Sequence, residues 1–225
     1  MKLLSTGNPK LMKGEKQGYL SFVLHLSPAN VSGYETCPKR TTGCTAACLN
    51  TAGRGGMFKK GESTNMIQEA RKRKTRMFFE QREQFLADLE ADIRLGIKQA
   101  EKKGMTPVFR LNGTSDIAWE KYGIIEKFPN VQFYDYTKMR NRKVTHLKNY
   151  HLTFSKADGN DLDVRLAVNE GMNVAVVFKV VPTTFLGRPV INGDDTDLRF
   201  LDDKNVIVGL KAKGKAKKDA TGFVV

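Results

Sequence analysis

Six short apolar runs constrain the fold of this chain more than any other feature. They lie at residues 19–27, 107–112, 131–136, 150–154, 174–178 and 205–210. From the second onward they recur about every twenty to thirty residues, and most are nearly continuous in apolar character, as strands buried on both faces are. Helical segments separate several of them, which makes the class α/β with a mostly parallel sheet. About six strands are too few for a closed eight-stranded barrel. The expected architecture is therefore a partial, open TIM-like barrel or curved sheet, forming one domain over residues 1–225.

A long helical stretch follows the first strand and its loop. Ile67, Ala70, Phe78, Phe85, Leu89, Ile93 and Ile97 recur at helical spacing between residues 66 and 103. Ser63 or Thr64 can cap its start and Gly104 its end. Close to forty residues is long for one globular helix, so a bend or break is expected near residues 80–82. A short helix is expected around residues 117–126, and residues 1–17 read as an irregular lead-in broken by Gly7, Pro9 and Gly14. No run of eighteen apolar residues occurs, so no membrane span is expected. The apolar patch at the start is too short for a signal-peptide core. The expected location is cytoplasmic.

All three cysteines fall in residues 36–56, just past the first strand. Cys44 and Cys48 are four apart, so a helical turn puts both sulfurs on one face. Cys37 precedes Pro38, which keeps its own stretch out of helix. Three thiolates from a loop and a turn suit a [4Fe-4S] cluster with one open or non-cysteine corner, where Asp116 or a small molecule could bind. Other readings stay open. Three buried structural thiols would pack as small hydrophobes, and a disulfide would leave one cysteine over. A Cys3His zinc site would draw on His25, His146 or His151.

Polar residues end each later strand, and in a parallel sheet those ends share one rim. The candidate ligand-binding residues there are Arg110, Asn112, Thr114, Ser115, Asp116, Tyr136, Lys138, Ser155 and Lys179. Residues 52–56 form a glycine-rich turn in which Arg54 could help hold an anion. The chain carries 38 Lys and Arg against 24 Asp and Glu, a formal charge of +14, which favours polyanions such as nucleic acid. Arg71, Lys74 and Arg76 on the long helix and Lys211, Lys213 and Lys215 near the end are the candidate basic surface for nucleic acid or a host protein. The bland alternative for both runs is a solvated face.

A first strand, a three-cysteine loop and successive β/α units together resemble the radical S-adenosylmethionine superfamily. That resemblance implies a partial barrel, a cluster held by Cys37, Cys44 and Cys48, and S-adenosylmethionine at its open iron. The spacing departs from that family: C-x6-C-x3-C stands where C-x3-C-x2-C is usual, with Ala47 in the usual aromatic position. Further pieces are similar to the bacteriophage gene product eighty-eight family. They are the T-C-P loop, E-A-R-x-x-K-T-R at residues 69–76, R-L-N-G-T-S-D at 110–116, F-Y-D-Y-T-K at 133–138, and G-L-K-A-K-G-K-A at 209–216. This likeness covers nearly the whole chain and implies a phage gene acting in the bacterial host cell, without assigning an activity.

Overall fold

The computed structural model describes residues 1–6, 9–51 and 53–225. Alternation along the strands decides which side of the sheet meets the helices. In β2 (Tyr19–Leu24), Leu20, Phe22 and Leu24 face one way and pack with Phe109, Phe133, Phe85, Leu89 and Ile93. On the opposite face, Tyr19 joins Val108, Tyr134, Leu198 and Phe200 in a second, smaller core. The period of two that the strand imposes thus divides the two cores.

Around β2 the chain builds one nine-stranded sheet. The other strands are β1 (Leu4–Ser5), β3 (Thr106–Arg110), β4 (Gln132–Thr137), β5 (Tyr150–Ser155), β6 (Val174–Phe178), β7 (Thr184–Phe185), β8 (Arg188–Asn192) and β9 (Ile207–Lys211). Their order is β1-β2-β3-β4-β5-β6-β9-β8-β7. Every pairing from β2 to β8 is parallel, while β1 and β7 lie antiparallel at the two edges. Among the described residues the sheet is open and mostly parallel, as expected, but it has nine strands where about six were expected, and the TIM-like barrel is corrected to an open sheet. The three additional strands lie at or next to the edges: β1 and β7, two residues each, are the edges, and β8, which contains Pro189, is next to β7. Edge pairing needs no long apolar run, which is why composition concealed them.

Two helices fill the long periodic stretch, α3 (Met66–Glu80) and α4 (Arg82–Lys102), and they part at Gln81 within the expected break. Asn65, rather than Ser63 or Thr64, caps α3: its side chain accepts the Gln68 N–H at 3.0 Å. Phe78, Phe85, Leu89, Ile93 and Ala100 bury one stripe against the sheet. Gly96 lets α4 lie close to it, since a Cβ there would stand 3.1 Å from the Phe109 ring and 3.3 Å from Phe22. Gly104, in the left-handed region at φ +64, turns the chain into β3.

The lead-in is more ordered than expected. Helix α1 (Pro9–Glu15) includes Gly14, and Gly7 lies outside the described residues. The short helix expected at 117–126 is a 3-10 turn, Trp119–Tyr122, followed by irregular turns. Before β6 lies α5 (Asp161–Asn169), which packs Val164 and Ala167 against Phe154, Val174 and Val176. Among the described residues no helix is long and apolar enough to cross a membrane.

Candidate functional site

Parallel strands bring the carboxyl ends of β2 to β6 to one rim, and the cysteine segment folds across it. Its helix, α2 (Thr42–Ala46), starts against Asp158 from the turn after β5. The Asp158 carboxylate accepts the Gly43 N–H at 3.0 Å, the Cys44 N–H at 3.2 Å and the Thr41 hydroxyl. Burial opposes the charge, but these donors hold the Asp158 carboxyl below the ordinary aspartate value. A carboxylate at a helix start is also where the exposed N–H groups favour one. Gly43 cannot carry a side chain, because its Cβ would lie 2.8 Å from Phe223 Cβ and 2.6 Å from Asp158 Oδ1.

The end of the chain closes the same rim. Val224 bridges to Val177, the Lys179 N–H donates to Val225 O at 2.8 Å, and the Val225 N–H donates to Val177 O at 2.9 Å. Lys156, buried after β5, reaches Gly222 O at 3.2 Å. Ala212, Ala216 and Val224 pack together, with Ala47 of the cysteine segment against them. The lysines between them are turned outward: Lys211, Lys213, Lys215, Lys217 and Lys218 are exposed. Lys213 Nζ is 2.6 Å from Asp194 Oδ1, and the Lys211 N–H donates to Asp194 Oδ2 at 3.2 Å. The lysine-rich tail is thus a 3-10 turn, Gly214–Lys218, docked by its alanines with its lysines exposed.

The three cysteines are free thiols, each partly buried. Cys37 Sγ accepts the Ala29 N–H at 3.4 Å and faces Thr114 O at 3.9 Å. Burial pushes the Cys37 thiol up, with the Asp116 charge adding to it. Burial likewise raises Cys48, against the opposing pull of Lys138 and Arg71. Asp116 is held by the Lys138 N–H, which donates to its Oδ2 at 2.8 Å. Its Oδ1 has no hydrogen-bond partner among the described residues and lies 3.9 Å from Arg142. Burial raises its carboxyl too.

These positions overturn the metal-centred reading. Among the described residues no three His, Cys, Asp or Glu side chains converge to hold a metal ion. The [4Fe-4S] cluster on Cys37, Cys44 and Cys48 is therefore corrected, and so is the Cys3His zinc alternative. Cys37 is tied back to Ala29 beside Thr114, Cys44 lies within α2 and Cys48 follows it. The histidines are engaged elsewhere. His146 lies 3.7 Å from Glu126, His151 is 3.4 Å from Thr153, and His25 is 3.4 Å from Ser5.

The remaining candidate residues divide between rim and interior. Asn112 is a structural hub: it gives its backbone N–H to Asp135 at 2.7 Å and its amide N–H to Asp135 and Ile117 O. Its Oδ1 accepts from Ser115, the Ile117 N–H and the Trp119 indole. Thr114 donates to Leu26 O at 2.5 Å. Arg110 pairs with Asp197 at 2.8 Å and lies over the Tyr136 ring, whose hydroxyl is 3.4 Å from Asp197. Ser155 is half-buried and its carbonyl accepts from Asn160, while Lys179 is exposed. Arg54 is exposed on its turn, and Ala52 lies outside the described residues. Arg71 and Lys74 turn inward, to Asn50 Oδ1 at 2.6 Å and Leu3 O at 2.5 Å; Arg76 reaches Ser32 O at 3.3 Å.

Asp158 and Arg142 were not among the residues that sequence reasoning selected for the rim. Asp158 stands in A-D-G-N, an ordinary turn sequence, and only the fold brings it to α2. Comparison with curated proteins and with solved structures gave no match. The family model for Gene product 88 matches residues 2–225, nearly the entire chain, and the protein belongs to that bacteriophage family.

Proposed function

We propose that this protein binds nucleic acid through the carboxyl-end rim of its sheet, without a metal centre. The observation that carries the reading is the fixed lysine array. Lys211, Lys213, Lys215, Lys217 and Lys218 are exposed while Ala212 and Ala216 between them are buried, and Lys179 is exposed at the end of β6. Anchoring a basic segment by its alanines lowers the entropy lost when it meets a phosphate backbone. A formal charge of +14 adds a long-range attraction for the same partner. On this reading the rim of the open sheet presents the array, and Lys39 and Arg40 of the adjacent cysteine loop extend it.

Fluorescence anisotropy with labelled single-stranded and duplex DNA and RNA, across a salt series, tests this. The logarithm of affinity should fall steeply with the logarithm of salt. The triple variant Lys215→Glu/Lys217→Glu/Lys218→Glu should flatten that slope by about 0.7–0.9 for each phosphate that the array no longer neutralises. A flat salt response in the unaltered protein would sink the reading.

A further inference from the structure

Five large apolar side chains are left exposed around the start of α3. They are Leu49, Met57, Phe58, Met66 and Ile67, with Met57 at 70% exposure and Met66 at 87%. Hydrogen bonds gather them on one surface. The Asn65 amide nitrogen lies 2.9 Å from Met57 O, 3.1 Å from Gly55 O and 3.3 Å from Arg54 O, and Gln68 Nε2 donates to Gly55 O at 2.7 Å. Arg71 holds the 3-10 turn that bears Leu49 through Asn50 Oδ1 at 2.6 Å. The two turns touch closely, since a Cβ on Gly55 would stand 2.6 Å from Asn50 O. Beyond these anchors residues 57–63 are exposed without a break. They turn back where the Glu62 N–H donates to Lys59 O at 3.0 Å, with Gly61 in the left-handed region at φ +85.

Apolar groups held out by a braced backbone mark an interaction surface. Its border is basic: Arg54, Lys59, Lys60 and Arg73 are exposed around it. Glu69 is engaged by Lys72 at 2.9 Å and by the Thr64 hydroxyl at 2.7 Å, which leaves Glu62 as the acid of the exposed loop. The occupant is therefore anionic and apolar at once. A second copy of the chain would bring the same cations face to face. Single-stranded nucleic acid stacks on aromatic platforms, and four of the five side chains are not aromatic. An amphipathic partner helix lies in an apolar groove. The cavity here, of about 460 Å³, is instead walled by Glu62, Thr64, Asn65, Met66, Glu69 and Arg73, of which Met66 alone is apolar. A lipid surface takes apolar tips from a projecting loop and cations from its flanks.

We propose that Leu49, Met57, Phe58, Met66 and Ile67, bordered by Arg54, Lys59 and Lys60, form a peripheral docking surface for an anionic lipid bilayer. The apolar tips enter the interface while the cations meet lipid phosphates. The surface uses different residues from the lysine array, does not depend on nucleic-acid binding and requires no helix that crosses the membrane.

Sedimentation of the full chain with vesicles tests it, with pure phosphatidylcholine in one arm and an equal mixture of phosphatidylcholine and phosphatidylglycerol in the other. The protein should bind the anionic vesicles about tenfold or more tightly than the neutral ones. Met57→Ser/Phe58→Ser should weaken that binding about tenfold or more. The chain has one tryptophan, Trp119, and it is fully buried, so Phe58→Trp adds a surface reporter. Its emission should shift to the blue with anionic vesicles, and should do so equally in a Lys215→Glu/Lys217→Glu/Lys218→Glu background, which separates this surface from the array. Binding undiminished in Met57→Ser/Phe58→Ser, or unaccompanied by the blue shift, would reduce the interaction to adsorption by net charge and overturn the proposal. No binding to anionic vesicles would do the same. So would a change in Phe58→Trp emission with oligodeoxythymidylate but not with vesicles, which assigns single-stranded nucleic acid, or a dimer in light scattering that Met57→Ser/Phe58→Ser dissolves.

Discussion

Asp158 Oδ2 accepts the backbone N–H of Gly43 at 3.0 Å, joining residues 115 apart in sequence. Through this bond the turn after β5 holds the start of the cysteine helix. Replacing Asp158 with Ala removes two N–H bonds at the start of α2, beside its N-cap Thr41, and should cost about 1–2 kcal/mol. Cys44 should then react faster with a thiol reagent, read as the rate of colour development. The Asp158 carboxyl is lowered in the fold, so its contribution is present above the unfolded aspartate value and is lost as pH falls through the folded one. An acid unfolding series in which Asp158→Asn parallels the parent protein would refute this role.

Asp135 titrates in the opposite sense. It is fully buried, and burial pushes its carboxyl up to about 6 despite donors from Tyr150 and Asn112. The folded protein therefore binds more protons than the unfolded chain between about pH 4 and 6. This group's stabilising effect is full at low pH and declines as pH rises through about 6. Denaturant melts at pH 4.5, 6 and 7.5 should show that decline in the parent and a flatter profile in Asp135→Asn.

Gly43→Ala is expected to release the end of the chain. The added methyl collides with Thr221 and Phe223, which pack over that position. The cheapest relief is detachment of residues 219–225, since α2 is fixed by Asp158. Limited proteolysis should cut the variant beyond residue 211 under conditions that leave the parent intact. If the array is the nucleic-acid surface, the variant should also bind DNA more weakly.

The Arg110–Asp197 pair is buried, so removing one partner should be expensive. Arg110→Met is expected to cost about 3–5 kcal/mol, because it leaves the Asp197 carboxylate beside the Tyr136 ring without its guanidinium. Adding Asp197→Leu should recover part of that stability, measured as the shift in urea midpoint. Equal midpoints for the single and double variants would show that the charge pairing is not what matters.

Much of the fold was legible because periodicity and burial agree. All six apolar runs are strands, and the helix break expected near residues 80–82 falls at Gln81. Helix α5, with Val164 and Ala167 as its buried face, and the two-residue strands β1 and β7 carry too weak a pattern to stand out. The site was less legible. Clustering of Cys37, Cys44 and Cys48 in sequence suggested convergence on a metal, yet backbone bonds to Ala29 and Asn50 set the positions of Cys37 and Cys48. The inward turn of Arg71 and Lys74 was hidden for a similar reason. A run of cations on a helix looks the same in sequence whether it faces water or a strand end.

The place of β9 between β6 and β8 carries a cost during synthesis. Until about residue 211 has left the ribosome, β6 offers an open ladder of unpaired N–H and C=O groups, and the β7–β8 hairpin has no parallel partner. Nascent chains truncated before that point expose a sticky seam of Val174, Val176 and Phe178 to one another. Pairing of β6 with the β7–β8 hairpin thus waits on β9, and a chain cut short before it leaves both without their common partner.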